Sequence, residues 1–471
     1  RPLPQKGERW HDTASEIDDV DDASSDVQSM RSSACSSVAY TEGDMSFATD
    51  TDVDGEFPDH ELSDRDDHWG SEPLAVIRNL LEAGSLRKGE QRALEEELGT
   101  LNEEALSAAL EGAHERQTAY TGDRHPRLVQ PRELFWQKKK VPTLRHGASV
   151  TNAAIAPRRS LQEWRRMGLS LLVQSRVGVV LLCGATFMQS IVDIGLPSGK
   201  SFLQILCERL RRLMHIAKRS YSPPRSSSSS SANLGGVFRG DKLAVSIPVY
   251  VMTDAGNHME IVSHLRDNNF FGLDANDVCV FTQEMNPIFD KEGHVLLDRP
   301  SEVARAPGGG GALFEVLRKR GLQEDMAKRG LSHIFVMPCD NIMAHIADPL
   351  LLGYALALNE QCSLKVVARS GTSDPLGVFC THHEHKTSRA RVVERFELHA
   401  EARLGKSKDG HLRLRLSSLA HHVFTLDLLM DNFRLPVIKP HAVPIVRAWY
   451  DPYSGKMREP VSKDHNAFRL E

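Results

Sequence analysis

Apolar residues recur along this chain both in short blocks and in helical spacing, and the two patterns alternate. The block Val177–Cys183 is β-branched and apolar, which is typical of a fully buried central strand. Similar strands are predicted at Ala244–Met252, Val278–Thr282, Ile334–Met337, Ser363–Ala368, Gly377–Cys380, Arg391–Leu398 and Leu412–Leu416. Helices are predicted at Leu161–Leu172, Ser201–Arg212, Met259–Asn268, Leu313–Gly321, Glu324–Lys328, Pro349–Asn359 and Leu426–Phe433. The alternation predicts an α/β fold with a mixed, mostly parallel sheet and helices on both faces.

The loops after these strands mark the expected site, because ligands of such sheets bind beyond the carboxyl ends of the strands. This rule selects the loops that follow Cys183, Met252, Thr282 and Met337. A nucleotide-binding protein usually has a glycine-rich loop after its first strand. Here that segment has the sequence CGATFMQ, with one glycine and no basic residue before Lys200. The strand therefore indicates a nucleotide site more clearly than the loop does.

The same patterns divide the chain into regions. The first 70 residues are acidic and poor in large apolar side chains, which predicts a disordered tail. Two or three amphipathic helices follow, so the fold has a helical N-terminal extension. The predicted regions are a disordered acidic tail at 1–70, a helical region at 71–160, a core at 161–435 with a serine-rich insertion at 219–236, and the start of a truncated C-terminal domain at 436–471.

Charge and cysteine usage restrict the class of protein. The net charge is −5, and most of the negative charge lies in the tail, so the remainder is mildly positive. That balance suits a phosphate-bearing substrate, but it is too diffuse to predict a nucleic-acid partner. The most apolar stretch, Leu169–Ala185, is interrupted by Gln174, Ser175 and Arg176, so no membrane association is expected. The 7 cysteines show no regular spacing, which favours reduced thiols and a cytoplasmic location.

Several segments carry motifs in a specific order and spacing. They are IPVYVMTDAGNHMEI (247–261), FFGLDANDVCVFTQEMNP (270–287), APGGGGALFEVL (306–317), GLSHIFVMPCDNIMAHIADPLLLGY (330–354) and DPLGVFC (374–380). From about Ile77 to Glu471 the chain resembles the eukaryotic UDP-N-acetylhexosamine pyrophosphorylases, relatives of the UDP-glucose and UDP-sugar pyrophosphorylases. The resemblance implies a GT-A-like (Rossmann-like) core that condenses UTP with N-acetylglucosamine 1-phosphate, releases pyrophosphate and uses Mg²⁺. N-acetylgalactosamine 1-phosphate and glucose 1-phosphate remain open as alternative substrates.

For the nucleotide, the resemblance implies contacts from Gly184, Gln283, Gly309 and Asp340. The amide of Gln283 can both donate to and accept from a uracil edge, and the alternative is a surface glutamine. Asp340 follows an apolar strand, where a carboxylate could anchor Mg²⁺. The alternative role for Asp340 is to cap a helix at Asn341–His345.

For the sugar, the resemblance implies that Gly310, Gly377, Glu394 and His421 line the pocket. Gly310 belongs to a run of four glycines, which permits close approach of backbone to a ligand. The family usually has asparagine at the positions of Gly310 and His421. Glu394 could instead be a solvated residue on a strand face, and His421 could be a structural histidine.

The chain departs from the family at the expected catalytic lysines, so no catalytic residue is assigned. The family loop after the first strand is longer and carries a lysine, and further lysines lie downstream of the position of Glu471. Phosphoryl-type transfer depends on positioning and charge stabilisation, so we expect no measurable pyrophosphate release from this chain. Three hypotheses remain: an enzyme represented by an incomplete chain, an inactive relative that binds uridine nucleotides or acts as a scaffold, and an unrelated α/β binding module.

Overall fold

The computed structural model describes residues 72–84, 86–121, 127–129, 132–133, 149–150, 158–184, 190–193, 195–220, 238–239, 242–384, 387–398, 403–406, 410–431, 440–460 and 465–471. The predicted acidic tail, the serine run Ser226–Ser231 and most of the segment that follows Gly184 lie outside these ranges. Among the helices described, none combines the length and the apolarity that crossing a bilayer requires.

The helices follow the predicted amphipathic segments. They are α1 (Ala75–Glu82), α2 (Lys88–Thr100), α3 (Glu103–Thr121), α4 (Arg158–Val173), α5 (Phe202–Ser220), α6 (His258–Asp267), α7 (Ala312–Lys319), α8 (Leu322–Lys328), α9 (Pro349–Leu358) and α10 (Leu426–Met430). The N-terminal extension is therefore helical over α1 to α3.

The strands form one large sheet and several small ones. They are β1 (Arg127–Val129), β2 (Arg132–Glu133), β3 (Ser149–Val150), β4 (Val177–Leu182), β5 (Phe238–Arg239), β6 (Lys242–Leu243), β7 (Val249–Thr253), β8 (Val278–Thr282), β9 (Met285–Asp290), β10 (Leu297–Arg299), β11 (Glu302–Val303), β12 (Arg305–Pro307), β13 (His333–Pro338), β14 (Cys362–Ala368), β15 (Val378–Glu384), β16 (Thr387–Val393), β17 (Leu416–Thr425), β18 (Ala442–Ile445), β19 (Trp449–Asp451), β20 (Lys456–Arg458) and β21 (Ala467–Leu470).

The large sheet has the order β1–β15–β17–β13–β4–β7–β8, with β14 also paired to β17 and β16 to β15. Strands β13, β4, β7 and β8 are parallel, and β17 joins them antiparallel through β13. The sheet is therefore mixed with a parallel centre, which confirms the predicted fold class. Strands β4 and β7 each lie between two parallel neighbours and are buried along nearly their whole length.

Helices cover both faces of this sheet, as predicted. On one face, Leu171 of α4, Leu206 of α5 and Leu352 of α9 pack against Phe335 of β13. On the other face, residues of α7, α8 and α10 pack against Val180 of β4 and its neighbours. The two apolar layers hold the strand ends, and so the candidate site, in fixed positions.

The N-terminal helices pack against strands from the middle and the end of the chain. Ile77 and Leu94 share one apolar cluster with Phe289 of β9 and Phe468 of β21. The two phenylalanine rings are stacked with centroids 5.5 Å apart. Segments far apart in sequence thus share one apolar cluster outside the large sheet.

Two predicted strands differ from the structure. The strand predicted at Leu412–Leu416 is wrong, because β17 begins only at Leu416 and continues through the polar sequence SSLAHH. The strand predicted at Arg391–Leu398 ends at Val393 in β16 and is followed by a 3₁₀ turn at Arg395–Glu397. In β17, the buried polar residues Ser417, Ser418 and His421 concealed the strand.

Candidate functional site

The ends of four adjacent strands form one edge of the large sheet. Hydrogen bonds continue one residue past the strands: the Cys183 amide donates to the Met252 carbonyl, and the Gln283 amide donates to the Thr253 carbonyl, each over 2.8 Å. The residues one or two positions beyond each strand are therefore held next to one another in sheet order. From β13 to β8 they are Asp340, Gly184, Asp254 and Gln283.

Gln283 lies in this edge with its side chain 5% exposed, so the alternative of a surface glutamine is wrong. Its Oε1 is buried without a hydrogen-bond partner. A Cβ added at Gly184 would lie 3.4 Å from Gln283 Nε2, so this glycine keeps space beside the amide. A buried acceptor without a partner is unfavourable unless a ligand supplies a donor.

Asp254, which the sequence prediction missed, follows β7 at the same edge. It is 1% exposed, and its Oδ1 accepts the amide hydrogens of Gly256 and Asn257 over 2.8 and 3.2 Å. Its Oδ2 is buried without a partner, and burial raises the pKa of the carboxyl. Its position directly after the apolar run VYVMT was the signal that could have identified it.

The four-glycine segment, residues 308–311, connects β12 to α7 and lies close to the end of β4. Gly309 has a φ of +72°, and a Cβ there would overlap the side chain of Glu471. A Cβ at Gly310 would meet Leu182 Cδ1 only at 3.9 Å. The Gly308 amide donates to the carbonyl of Glu284 over 3.2 Å, which fixes the start of the segment beside Gln283.

Asp340 is exposed just beyond β13. Surrounding protein atoms nevertheless desolvate the carboxylate and raise its pKa. The alternative of a helix cap is wrong, because residues 341–345 form turns. The side chain of Asn341, not that of Asp340, accepts the Met343 and Ala344 amide hydrogens, each over 3.2 Å. The Asp340 carboxylate is thus available to a ligand or a metal ion.

Of the residues predicted to bind the sugar, Gly377 and Glu394 lie in contact with each other. Gly377 precedes β15, and a Cβ there would lie 2.8 Å from Glu394 Oε1. Glu394 is not on a strand face but before the 3₁₀ turn. Burial raises the pKa of its carboxyl, and the nearby carboxylates of Glu397 and Glu471 add to the rise. Glu471 thus lies between Glu394 and Gly309.

The ring of His421 is placed differently, in the core of the sheet. It is completely buried, and its centroid lies 6.4 Å from that of Phe335. Neither ring nitrogen has a hydrogen-bond partner. Burial, together with the charge of Lys365, lowers the pKa of His421 to about 4. The ring is therefore neutral at physiological pH.

Neither a cation nor a reactive thiol is available at the tip of β4 among the residues described there. The thiol of Cys183 is buried, and a hydrogen bond with Cys339 and burial raise its pKa well above the ordinary value, which keeps it protonated. Lys200 lies just before α5, with its ammonium 2.6 Å from Glu208. That hydrogen bond lowers the pKa of Glu208.

A cavity of about 650 Å³ borders the other side of the glycine segment. It is lined by Gly308, Gly311, Glu284, Glu315 and Glu471, among others, and by neither Gln283 nor Glu394. Gln283 and Asp254, whose buried side-chain oxygens have no partner, lie on the strand edge instead. We therefore place the candidate site at the edge and not in this cavity.

Comparison with known proteins shows which family and which fold this chain shares. The family model described as UTP–glucose-1-phosphate uridylyltransferase matches residues 150–407. The crystal structure of the Trypanosoma brucei uridine diphosphate N-acetylglucosamine pyrophosphorylase in complex with an inhibitor has a TM-score of 0.59 at 19% identity. The alignment covers 85% of this chain and 72% of that one. This likeness shows a shared fold.

Two curated relatives are similar in sequence. The UDP-N-acetylglucosamine pyrophosphorylase of Saccharomyces cerevisiae is 29% identical over 323 residues, which cover 66% of this chain and 61% of the relative. The human UDP-N-acetylhexosamine pyrophosphorylase-like protein 1 is 29% identical over 350 residues, which cover 72% and 63%. The chain thus spans about three fifths of the length of these relatives.

Proposed function

We propose that this chain, which belongs to the UTP–glucose-1-phosphate uridylyltransferase family, carries a uridylyltransferase site. The proposed reaction joins UTP and N-acetylglucosamine 1-phosphate to give UDP-N-acetylglucosamine and pyrophosphate. The names of the yeast and human relatives favour an N-acetylated hexosamine. The description of the family model keeps glucose 1-phosphate as an alternative substrate.

The amide of Gln283 is the observation that carries this proposal. Its unpartnered Oε1 could accept the N3–H of uracil, while Nε2 could donate to a neighbouring carbonyl of the same base. Cytosine lacks that N–H, so a site built around this amide should discriminate between the two bases. The absence of a side chain at Gly184 leaves room for a base beside the amide.

The sugar would lie toward Gly310, Gly377 and Glu394. A glycine at the first two positions permits a hexose ring to approach the backbone. The Glu394 carboxylate could accept hydrogen bonds from sugar hydroxyls. His421 remains a prediction from the resemblance, and its buried ring supports a structural role at least as well.

We also propose Mg²⁺ as the cofactor, held by Asp340. This ion usually takes one or two carboxylates together with phosphate oxygens and water, so one available carboxylate at the strand edge fits it. When bound, the ion would neutralise negative charge on the nucleotide phosphates. The described cysteines Cys183, Cys207, Cys279, Cys339, Cys362 and Cys380 are free thiols, which supports a cytoplasmic location.

A second candidate function is nucleotide binding without turnover. The sequence between Cys183 and Asp193 contains no lysine or arginine, and Lys200 is paired with Glu208. Removing one group that stabilises transition-state charge typically lowers the rate by about 10²–10³. A site without such a cation would therefore bind its substrates and react slowly.

Titration calorimetry with UTP and CTP tests the shared part of both candidates. We expect UTP to bind more tightly than CTP, and Gln283→Ala to weaken UTP binding by about tenfold while leaving CTP nearly unchanged. Gln91→Ala is the matched control, because Gln91 pairs with Glu95 on α2. Equal affinities for the two nucleotides in the wild type would contradict the proposed role of Gln283.

Pyrophosphate release with UTP, Mg²⁺ and N-acetylglucosamine 1-phosphate then separates the two candidates. For the 471-residue chain we expect binding without measurable release. Rapid release of pyrophosphate would favour the first candidate, an active uridylyltransferase. It would also show that the loop after β4 does not limit the rate of the reaction.

A further inference from the structure

The carboxylate of Glu397 joins three parts of the chain behind the proposed sugar pocket. It is buried, with the residue 2% exposed. Its Oε1 accepts from Arg116 Nε of α3 over 2.9 Å and from the His441 ring Nδ1, just before β18, over 2.6 Å. Its Oε2 accepts the backbone amide hydrogen of Glu394 over 3.2 Å. The partners lie 281, 44 and 3 residues away in sequence.

This arrangement bears directly on Glu394. The Glu394 carboxylate lies against Gly377, and its own backbone is fixed by Glu397. His441 is paired through its backbone with Glu471, by hydrogen bonds of 2.8 and 3.0 Å, and the Glu471 side chain lies against Gly309. One carboxylate therefore connects α3, the segment before β18 and the backbone of Glu394.

A buried carboxylate needs its full set of donors, because each unpaired contact leaves a desolvated charge or a desolvated donor. Glu397 satisfies that need with one permanently charged guanidinium, one imidazole and one backbone amide. In all three contacts an N–H group donates to a carboxylate oxygen of Glu397. Glutamine, with the same shape, would place an NH₂ group against at least one of those donors.

We propose that Glu397 is a positioning residue, which sets the orientation of Glu394 toward a bound sugar by clamping α3 and the segment before β18 onto the 3₁₀ turn. The proposal rests on the proposed function, because it assumes that Glu394 contacts the hexose of a UDP-sugar. A purely stabilising residue would affect the binding of UDP and of the UDP-sugar alike. The proposed role of Glu397 affects only the affinity for the sugar part of the ligand.

The test compares the affinities for UDP-N-acetylglucosamine and for UDP, measured by calorimetry on the full chain. Glu397→Gln should weaken binding of the UDP-sugar by about tenfold and binding of UDP by less than about twofold. Arg116→Met should act in the same direction but less strongly. The double variant should bind no more weakly than Glu397→Gln alone, since the two side chains form one contact.

Asp451→Asn is the matched control. Asp451 is also buried and accepts from Arg458 Nε over 2.6 Å and from the Tyr453 amide over 3.0 Å, but its contacts hold the β19–β20 hairpin. It should lower the melting temperature without changing the ratio of the two affinities. The same change of ratio in Asp451→Asn, or an unchanged ratio in Glu397→Gln, would overturn the proposal.

Amide hydrogen exchange gives a readout that needs no ligand. In Glu397→Gln the Glu394 amide loses its acceptor, so peptides that cover residues 390–398 should exchange faster than in the wild type and in Asp451→Asn. Unchanged exchange there would contradict the proposed role of Glu397 in fixing the backbone of Glu394. If the wild-type protein binds neither UDP nor UDP-N-acetylglucosamine, the proposed function is overturned instead. The exchange data would still show whether Glu397 fixes the backbone of Glu394.

Discussion

The nucleotide edge and the sugar side of the candidate site are assembled in different ways. The edge consists of Asp340, Gly184, Asp254 and Gln283, which lie one or two residues beyond four adjacent strands and are held by the hydrogen bonds of the sheet itself. The sugar side, which contains Gly377 and Glu394, depends on side chains that join α3, the 3₁₀ turn at Arg395–Glu397 and the segment before β18. Strand pairing thus determines the geometry of the nucleotide edge, and ion pairs between distant segments determine that of the sugar side. Substitutions in the two regions should therefore differ in their effects on stability and on ligand affinity.

The largest effect is expected where the two regions meet, at Gly309. The positive φ disfavours any other residue there, and a Cβ would overlap Glu471. We expect Gly309→Ala to lower the free energy of unfolding by about 1–3 kcal/mol, mainly from backbone strain, because the flexible end of the Glu471 side chain can move away from the added methyl group. Urea denaturation of the variant and the wild type measures this difference in the free energy of unfolding.

Gly310→Ala is the control within the same segment. Its Cβ would meet only Leu182 Cδ1 at 3.9 Å, so the loss should stay below about 1 kcal/mol. Equal losses in the two variants would contradict the left-handed backbone conformation of Gly309.

A smaller effect, of opposite sign, is expected at Asp254 in the nucleotide edge. Burial raises the pKa of this carboxyl, so its protonated form stabilises the fold below the unfolded-state pKa of about 3.9. That contribution is lost as the pH rises through the folded-state pKa. Asn keeps one acceptor for the Gly256 and Asn257 amides and removes the buried charge. Asp254→Asn should therefore be more stable than the wild type by about 1 kcal/mol at pH 7.

Thermal unfolding between pH 5 and pH 8 checks this expectation, since the advantage of the variant should shrink as the pH falls. Asp274→Asn is the control, because Asp274 accepts the Asn276 amide over 2.9 Å in a similar turn but is exposed. A lower stability of Asp254→Asn at every pH would mean that the unpartnered Oδ2 has a favourable contact after all.

The smallest effect is expected at Glu284, next to Gln283 in sequence. Its carboxylate is 54% exposed and pairs with Lys319 over 2.9 Å. Glu284→Gln should change the free energy of unfolding by less than about 0.5 kcal/mol and leave UTP affinity unchanged. A loss of UTP affinity equal to that of Gln283→Ala would contradict the distinction between the buried amide and its exposed neighbour.

The nucleotide edge was largely predictable from the sequence. The block Val177–Cys183 predicted β4, and Ile334–Met337 predicted the centre of β13, because buried parallel strands need continuous apolar sequence. The loops that carry Gln283 and Asp340 could be located because they follow such blocks, and the resemblance then selected these two residues within them. Asp254 also follows one, but its importance depends on burial and on an unpartnered oxygen, which a sequence does not display.

The sugar side was much less predictable. Glu397 has partners 281 and 44 residues away, and no local pattern marks such a contact. Strand β17 was misplaced because it buries Ser417, Ser418 and His421, polar residues that weaken the alternation on which strand prediction depends. Long-range side-chain contacts, and polar residues buried by them, are what the sequence leaves undetermined.

A crystal structure of this chain with UDP-N-acetylglucosamine tests the central claim most directly. We predict that the uracil edge lies within hydrogen-bonding distance of both Oε1 and Nε2 of Gln283, with the hexose against Gly377 and the Glu394 carboxylate. Nucleotide density in the cavity behind Gly308 and Gly311, or no density at the strand edge at saturating ligand, would contradict the account.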